Sequence, residues 1–348
     1  MITYVFKENE VSIQFSIPIT GSQDQALSAT VWVETGTGEI INYHQSLSTF
    51  VSEEPFAGKP GESYQLHFVL ENGAAYESNM SQLIRSPKID SIYDRYAELA
   101  PEGAVQNEGG IQFFLDTHDE TGAARYFRYD WIEDYKIITP FKAIDRYIYS
   151  EDRIYPIVSP RNICYGQNQS KSVLLANSLE TNHRISEFPL RFVSGQTDVL
   201  RHRYTLYVRQ YALNRDTYNY YRKFKQLNEA NGSLFDQQQG ELPGNVLSLN
   251  DPSEVVLGYF DVAGVSDKRV FFSFDDLDPN FSYPDYRTSC GPQDKLVTDP
   301  LSNPLNSFGI DLNILEYDGT TGQPVIGPLP CSDCTNYGPV DPPDYWVE

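Results

Sequence analysis

Two features of this 348-residue sequence predict an all-β protein, and a third predicts two domains. Tyr (25) and Phe (19) dominate the apolar set together with β-branched residues, while Met occurs only twice, a composition suited to half-buried pleated surfaces. Short runs alternate apolar and polar side chains with the two-residue period of a strand that buries one face, and glycine-bearing turns separate them. The length exceeds the roughly 100–200 residues of a single domain. With 40% apolar residues, the chain carries enough apolar side chains to build packed cores, which rules out low-hydrophobicity disorder as a description of the whole.

From the N-terminus, Val11, Ile13, Phe15 and Ile17 alternate with Ser12, Gln14 and Ser16. Ala29-Thr30-Val31-Trp32-Val33 forms the next strand, and the glycines of Glu34–Glu39 turn it into Ile40-Ile41. Tyr64, Leu66, Phe68 and Leu70 mark another alternating strand that Asn72-Gly73 reverses, both residues tolerating the positive φ of a tight hairpin. About seven short strands in so few residues predict an immunoglobulin-like sandwich over residues 1–87, with Arg85-Ser86-Pro87-Lys88 as the boundary.

Residues 88–348 read as a larger antiparallel β barrel or sandwich. Phe127, Tyr129 and Trp131 alternate with Tyr126, Arg128 and Asp130, and Tyr204, Leu206 and Val208 with Thr205, Tyr207 and Arg209. Further strands lie at 255–260, 269–274 and 314–317, the last followed by an Asp318-Gly319 turn. One helix interrupts them over residues 215–230: Asn214 caps it, Asp216 suits the positive end of its dipole, and Gly232 ends it. Tyr218, Tyr221 and Phe224 form the stripe that docks it on the sheet.

Lys and Arg total 26 against 48 Asp and Glu, a formal charge of −22. Nucleic-acid binding requires a basic footprint that this chain lacks; its densest basic cluster, Arg222, Lys223 and Lys225, sits in the one helix. The charge also argues against adhesion of the folded surface to anionic lipid. No apolar run reaches the ~18 residues of a membrane span, and Met1-Ile2-Thr3-Tyr4-Val5-Phe6-Lys7 lacks the architecture of a secretory signal.

Catalytic signatures are sparse. There is no GxSxG elbow, no HExxH and no GxxxxGK[ST] loop. His118-Asp119-Glu120 places a base beside a carboxylate, but adjacent residues in a turn seldom face one another. The metal candidate is Asp276, Asp278 and Asn280, three oxygen side chains at alternate positions, with calcium as the ion; Phe281 and Arg287 stand where a calcium hand requires Gly and Glu. Turn chemistry explains the same residues without a metal. No cofactor is expected. Cys164, Cys290, Cys331 and Cys334 allow three disulfide pairings or a zinc site. The Cys331–Cys334 pair lies in a Pro/Gly/Asp-rich tail, where a redox motif has no helix to open, so a disulfide tying the tail to the body, foremost through Cys290, is the leading expectation.

The most distinctive segments are Gly232-Ser233-Leu234-Phe235-Asp236, Leu242-Pro243-Gly244-Asn245-Val246 and Val256-Leu257-Gly258-Tyr259-Phe260, with a tail of Cys331-Ser332-Asp333-Cys334 and Pro343-Asp344-Tyr345-Trp346. Together they resemble the Bacteroidota envelope family known as domain of unknown function 4249, over about residues 26–346. The chain departs from many relatives at Gln237-Gln238-Gln239, where they read Pro-Gln-Pro, and at Thr335, where they carry Arg. The resemblance implies a surface or periplasmic lipoprotein, often encoded near TonB-dependent receptors, whose lipidated Cys would precede the present chain. It gives no activity. The expected function is therefore a non-enzymatic outer-membrane accessory protein that binds a protein partner, a TonB-dependent receptor or its cargo. The polar loop Phe235, Asp236, Gln237, Gln238 and Gln239, mounted after a rigid helix, is the candidate contact. An adhesin stacking glycans on Tyr283 and Tyr286, and a hydrolase with an unrecognised acidic site, are the alternatives.

Overall fold

The computed structural model describes residues 10–11, 28–47, 49–100, 105–159, 161–229, 242–282, 290, 295–301 and 304–348. Among the described residues, antiparallel sheets and one α-helix make up the fold, and none of the sheets closes on itself, so the larger unit is a sandwich and not a barrel.

The first sheet runs through β1 (Glu10–Val11), β2 (Ala29–Thr35), β3 (Ile40–Ser46), β4 (Thr49–Ser52), β5 (Ser63–Leu70), β6 (Ala75–Ser78) and β7 (Ser81–Gln82). Its strand order is β1-β4-β3-β2-β5-β6, with β7 also paired to β5. The alternation predicted for β5 holds: Tyr64, Leu66, Phe68 and Leu70 are buried on one face with Val31, Val33 and Phe50. Burying each such side chain contributes about 1.5–3 kcal/mol. Asn72-Gly73 makes the turn, Gly73 at φ +85° and the Asn72 carboxamide accepting the Ala74 N–H at 3.0 Å. Of the strand expected over 11–17, only Val11 lies among the described residues.

Two sheets packed face to face form the body. One is β8 (Ile89–Leu99), β9 (Glu108–His118) and β15 (Arg184–Ser194); the other is β10 (Tyr126–Ile138), β13 (Ile163–Gln169), β14 (Leu174–Asn177), β16 (Arg203–Leu213) and β18 (Gly264–Ser273). Ile111, Phe113 and Leu115 meet Phe127, Tyr129, Leu206 and Val208 in the core between them. A third, smaller sheet orders β12 (Arg153–Pro156), β11 (Asp145–Ile148), β20 (Leu312–Tyr317), β21 (Pro324–Gly327) and β19 (Leu296–Val297) over a core of Tyr147, Leu312, Ile314 and Ile326.

The helix α1 spans Arg215–Glu229. Asn214 caps it as expected, its carboxamide oxygen accepting the Thr217 N–H at 2.8 Å, while its amide group donates to Ser81 Oγ and ties the helix to the first sheet. The docking stripe is corrected at one position. Tyr218 is buried and Tyr221 donates to Asp261 at 2.9 Å, but Phe224 is 40% exposed; Tyr220 instead stacks on Tyr259 at 4.3 Å.

The cysteine expectation is refined. Cys290 does bond the tail, at Cys331, but a second bridge joins Cys164 of β13 to Cys334, so the four thiols are consumed and no zinc site is left.

Candidate functional site

Those of the distinctive motifs that lie among the described residues prove to be architectural. Strand β17 (Val246–Ser248) crosses back to extend the first sheet, pairing Val246, Leu247 and Ser248 with Ser78, Glu77 and Tyr76. Just before it, a Cβ on Gly244 would lie 1.4 Å from the Gly258 carbonyl oxygen, so only glycine permits the two backbones to approach, and Gly258 itself sits at φ +101°. Asn245 then acts as a substitute strand partner: its oxygen accepts the Phe260 N–H at 2.7 Å and its amide donates to the Phe260 carbonyl at 2.9 Å. Val246 and Phe260 complete the core of the first sheet.

The tail is likewise a strap. The Arg269 guanidinium lies 3.6 Å from the Tyr345 ring centroid and 4.8 Å from that of Tyr207, while the Tyr345 hydroxyl donates to Asp134 at 2.9 Å. Trp346 meets Tyr165 edge-on at 4.9 Å, and Glu348 pairs with Lys136 at 2.8 Å.

Deeply buried carboxylates are held in closed pairs. Glu133 is fully buried; it accepts from Arg191 Nε and Nη2 at 2.9 Å each, from the Tyr204 hydroxyl at 2.9 Å and from Asn168 at 2.8 Å. Its neighbour Asp134, on the opposite face of β10, takes Gln167 at 2.6 Å and Arg269 at 3.3 Å. Asp261 lies between Tyr221 and Arg128; burial raises its pKa, and Arg128 and Tyr221 pull it back.

The sequence-selected candidates do not converge. Asp276 accepts the Ser273 N–H at 2.7 Å as a turn cap. Asp278 gives one oxygen to the Tyr96 N–H at 2.9 Å and the other to the Asn280 N–H and amide. Those bonds, that from Tyr96 foremost, hold its carboxyl below the ordinary range. Turn geometry spends these oxygens locally, and among the described residues no group of three His, Cys, Asp or Glu is placed to hold a metal ion. Asp119 turns away from His118 and is saturated by Thr121 and Ala124. Phe235, Asp236, Gln237, Gln238 and Gln239, and likewise Tyr283 and Tyr286, lie outside the described residues.

Two surface features remain, neither selected from the sequence. On the third sheet, Ile154, Tyr155, Leu296, Val297 and Tyr317 are each 40–44% exposed, and the edge strand β12 is exposed along its whole length. A groove of about 560 Å³ opens there beside Tyr147, Ile154, Pro304 and Leu305. The second is a cleft of about 870 Å³ between the first sheet and the sandwich, lined by Lys59, Arg85, Lys88 and His118 together with Asp90 and Glu120. Its key residues were legible in sequence only as a linker.

Comparison with known proteins adds the family and little else. No curated protein matches the chain. A solved structure described as "Biofilm associated protein - BSP domain" overlaps 70% of this chain at 9% identity with a TM-score of 0.14. The overlap spans 50% of that structure's length, and the likeness carries no argument. The family description "Domain of unknown function (DUF4249)" matches residues 2–269, the stretch that contains both the crossing strand and the glycine contact that fixes it. This chain belongs to the DUF4249 family.

Proposed function

We propose that the protein is a non-catalytic binding protein of the outer membrane that docks a protein partner, a TonB-dependent receptor or its cargo, through its third sheet. The observation that carries this reading is the open edge of β12, exposed along its length and bearing the half-exposed apolar side chains of Ile154 and Tyr155. An unpaired strand edge offers main-chain hydrogen bonds to an added strand, whose side chains can pack against the exposed apolar groups. Arg153–Tyr155 would supply that edge, since Pro156 has no N–H to give. Both disulfides tether the segment that follows β21, which suits an oxidising envelope compartment. The most buried carboxylates are committed to ion pairs, not poised over a cleft, which favours binding over hydrolysis.

The test is co-purification from detergent-solubilised native membranes. A receptor of the TonB-dependent class should accompany the protein near one-to-one and be lost from the Ile154→Asp/Tyr155→Asp variant, whose side chains are exposed enough to leave the fold intact. Wild-type protein that elutes alone overturns the proposal.

A further inference from the structure

We propose that the cleft between the first sheet and the sandwich binds a compact anionic group, a carboxylate or a phosphate, gripped by Arg85 and Lys88. This site is separate from the third sheet and does not depend on the docking role given to it.

The argument begins with charge. Acidic residues outnumber basic ones 48 to 26, so cations here find carboxylates readily: Arg191, Arg209, Arg269 and Lys136 each sit within 3.3 Å of one. Arg85 and Lys88 belong with the exposed cations outside such pairs, and what sets them apart is the cleft they share. Neither side chain has an ion pair or hydrogen bond among the described residues, yet both line one cleft. Lys59 joins them, its nearest carboxylates, Glu39 and Glu62, only at 3.9 and 4.0 Å.

Three acids, Asp90, Asp119 and Glu120, line the same cleft, so what matters is where their oxygens are spent. Asp119 points both oxygens inward, to the Thr121 N–H and hydroxyl and the Ala124 N–H. Asp90 and Glu120 are exposed and pair with neither cation.

The backbone that carries the two cations is firmly held. Between them, Ser86 is buried, its hydroxyl 3.0 Å from that of Ser266, and the Pro87 carbonyl accepts from Gln210 Nε2 at 2.9 Å and from Ser266 Oγ at 2.6 Å. This knot clamps the connector to β16 and β18, so the residues on either side of Ser86-Pro87 hold their places without a ligand. A fixed backbone removes that part of the ordering cost, leaving only the rotamer freedom of the two side chains to be lost on binding. A guanidinium fork matches a carboxylate or phosphate edge, and an ammonium adds a point charge. The volume of about 870 Å³ suits a small ligand. A polyanion is disfavoured, because beyond the cleft it meets the field of a −22 protein.

Isothermal titration of the full chain with inorganic phosphate, galacturonate and neutral galactose tests the proposal. At least one anion should bind with a Kd below about 1 mM, and galactose should not. Arg85→Gln and Lys88→Gln should each weaken that binding about tenfold, and together abolish it, with an unchanged melting temperature. Lys142→Gln, a surface control outside the cleft, should bind as wild type. Which anion binds distinguishes a sugar acid from a phosphate source. The proposal is overturned if neither anion binds by about 10 mM, or if binding survives in the folded double variant.

Discussion

Removing Arg191 should expose how strongly the sandwich depends on one buried charge pair. Arg191 of β15 reaches across the core to Glu133 of β10, on the opposing sheet, with two bonds of 2.9 Å. Glu133 is fully buried, so in Arg191→Ala its carboxylate keeps only Tyr204 and Asn168 as donors. Breaking a buried pair by deleting one partner costs about 3–5 kcal/mol. Arg191 keeps 29% of its side-chain surface in water, so water can enter the vacated space, and the lower figure, about 3 kcal/mol, applies. At roughly 2.1 cal/mol/K per residue, 348 residues give an unfolding entropy near 0.7 kcal/mol/K, and the melting point should drop by about 4 °C. Urea unfolding followed by tryptophan fluorescence reads the same change locally, because the Arg191 guanidinium lies 4.9 Å from the Trp131 ring centroid. In a double-mutant cycle, Glu133→Ala with Arg191→Ala should cost less than the sum of the single variants by at least about 1.5 kcal/mol. A single-variant cost under about 1 kcal/mol, or strict additivity, would refute the assignment of this pair as a stabilising lock.

Three further outcomes are expected. Cys164→Ser/Cys334→Ser opens a loop spanning 170 residues and should lower stability in chemical denaturation by up to about 5 kcal/mol, against about 4 kcal/mol for Cys290→Ser/Cys331→Ser with its 41-residue separation; equal effects, measured one pair at a time, would contradict the loop-entropy account. Gly244→Ala forces a Cβ against the Gly258 carbonyl and should cost more than about 3 kcal/mol or prevent soluble expression, whereas Gly319→Ala, with open space around it, should be silent within about 0.5 kcal/mol. Burial alone would raise the Asp119 carboxyl, but the bonds from Ala124 and Thr121 outweigh it and leave it below the ordinary range. A depressed carboxyl stabilises above its unfolded pKa near 4 and loses that contribution as pH falls through its folded value. Asp119→Asn should therefore be about 1–2 kcal/mol less stable than wild type at pH 7, with the gap narrowing as pH falls below about 4; a gap that widens on acidification would contradict the sign.

The sequence alone determined the class of the fold and the orientation of many side chains. Two-residue alternation is a local property: Tyr64, Leu66, Phe68 and Leu70 face one side of β5 whatever that strand pairs with. Asn214 caps α1 and Asn72-Gly73 reverses a hairpin for equally local reasons. The family resemblance was legible too, but its meaning was not, because Pro243-Gly244-Asn245-Val246 becomes intelligible only once Gly244 lies against Gly258 and β17 lies beside β6. Long-range contact decided the rest. Nothing local in Arg85-Ser86-Pro87-Lys88 distinguishes a linker from the wall of a cleft; Gln210 and Ser266, distant in sequence, make the difference. Glu133 and Asp134 read as ordinary strand acids until Arg191 and Arg269 arrive from other strands to hold them. Asp276, Asp278 and Asn280 had the spacing of metal ligands, yet spacing fixes neither the direction of a carboxylate nor the backbone N–H groups that reach it first.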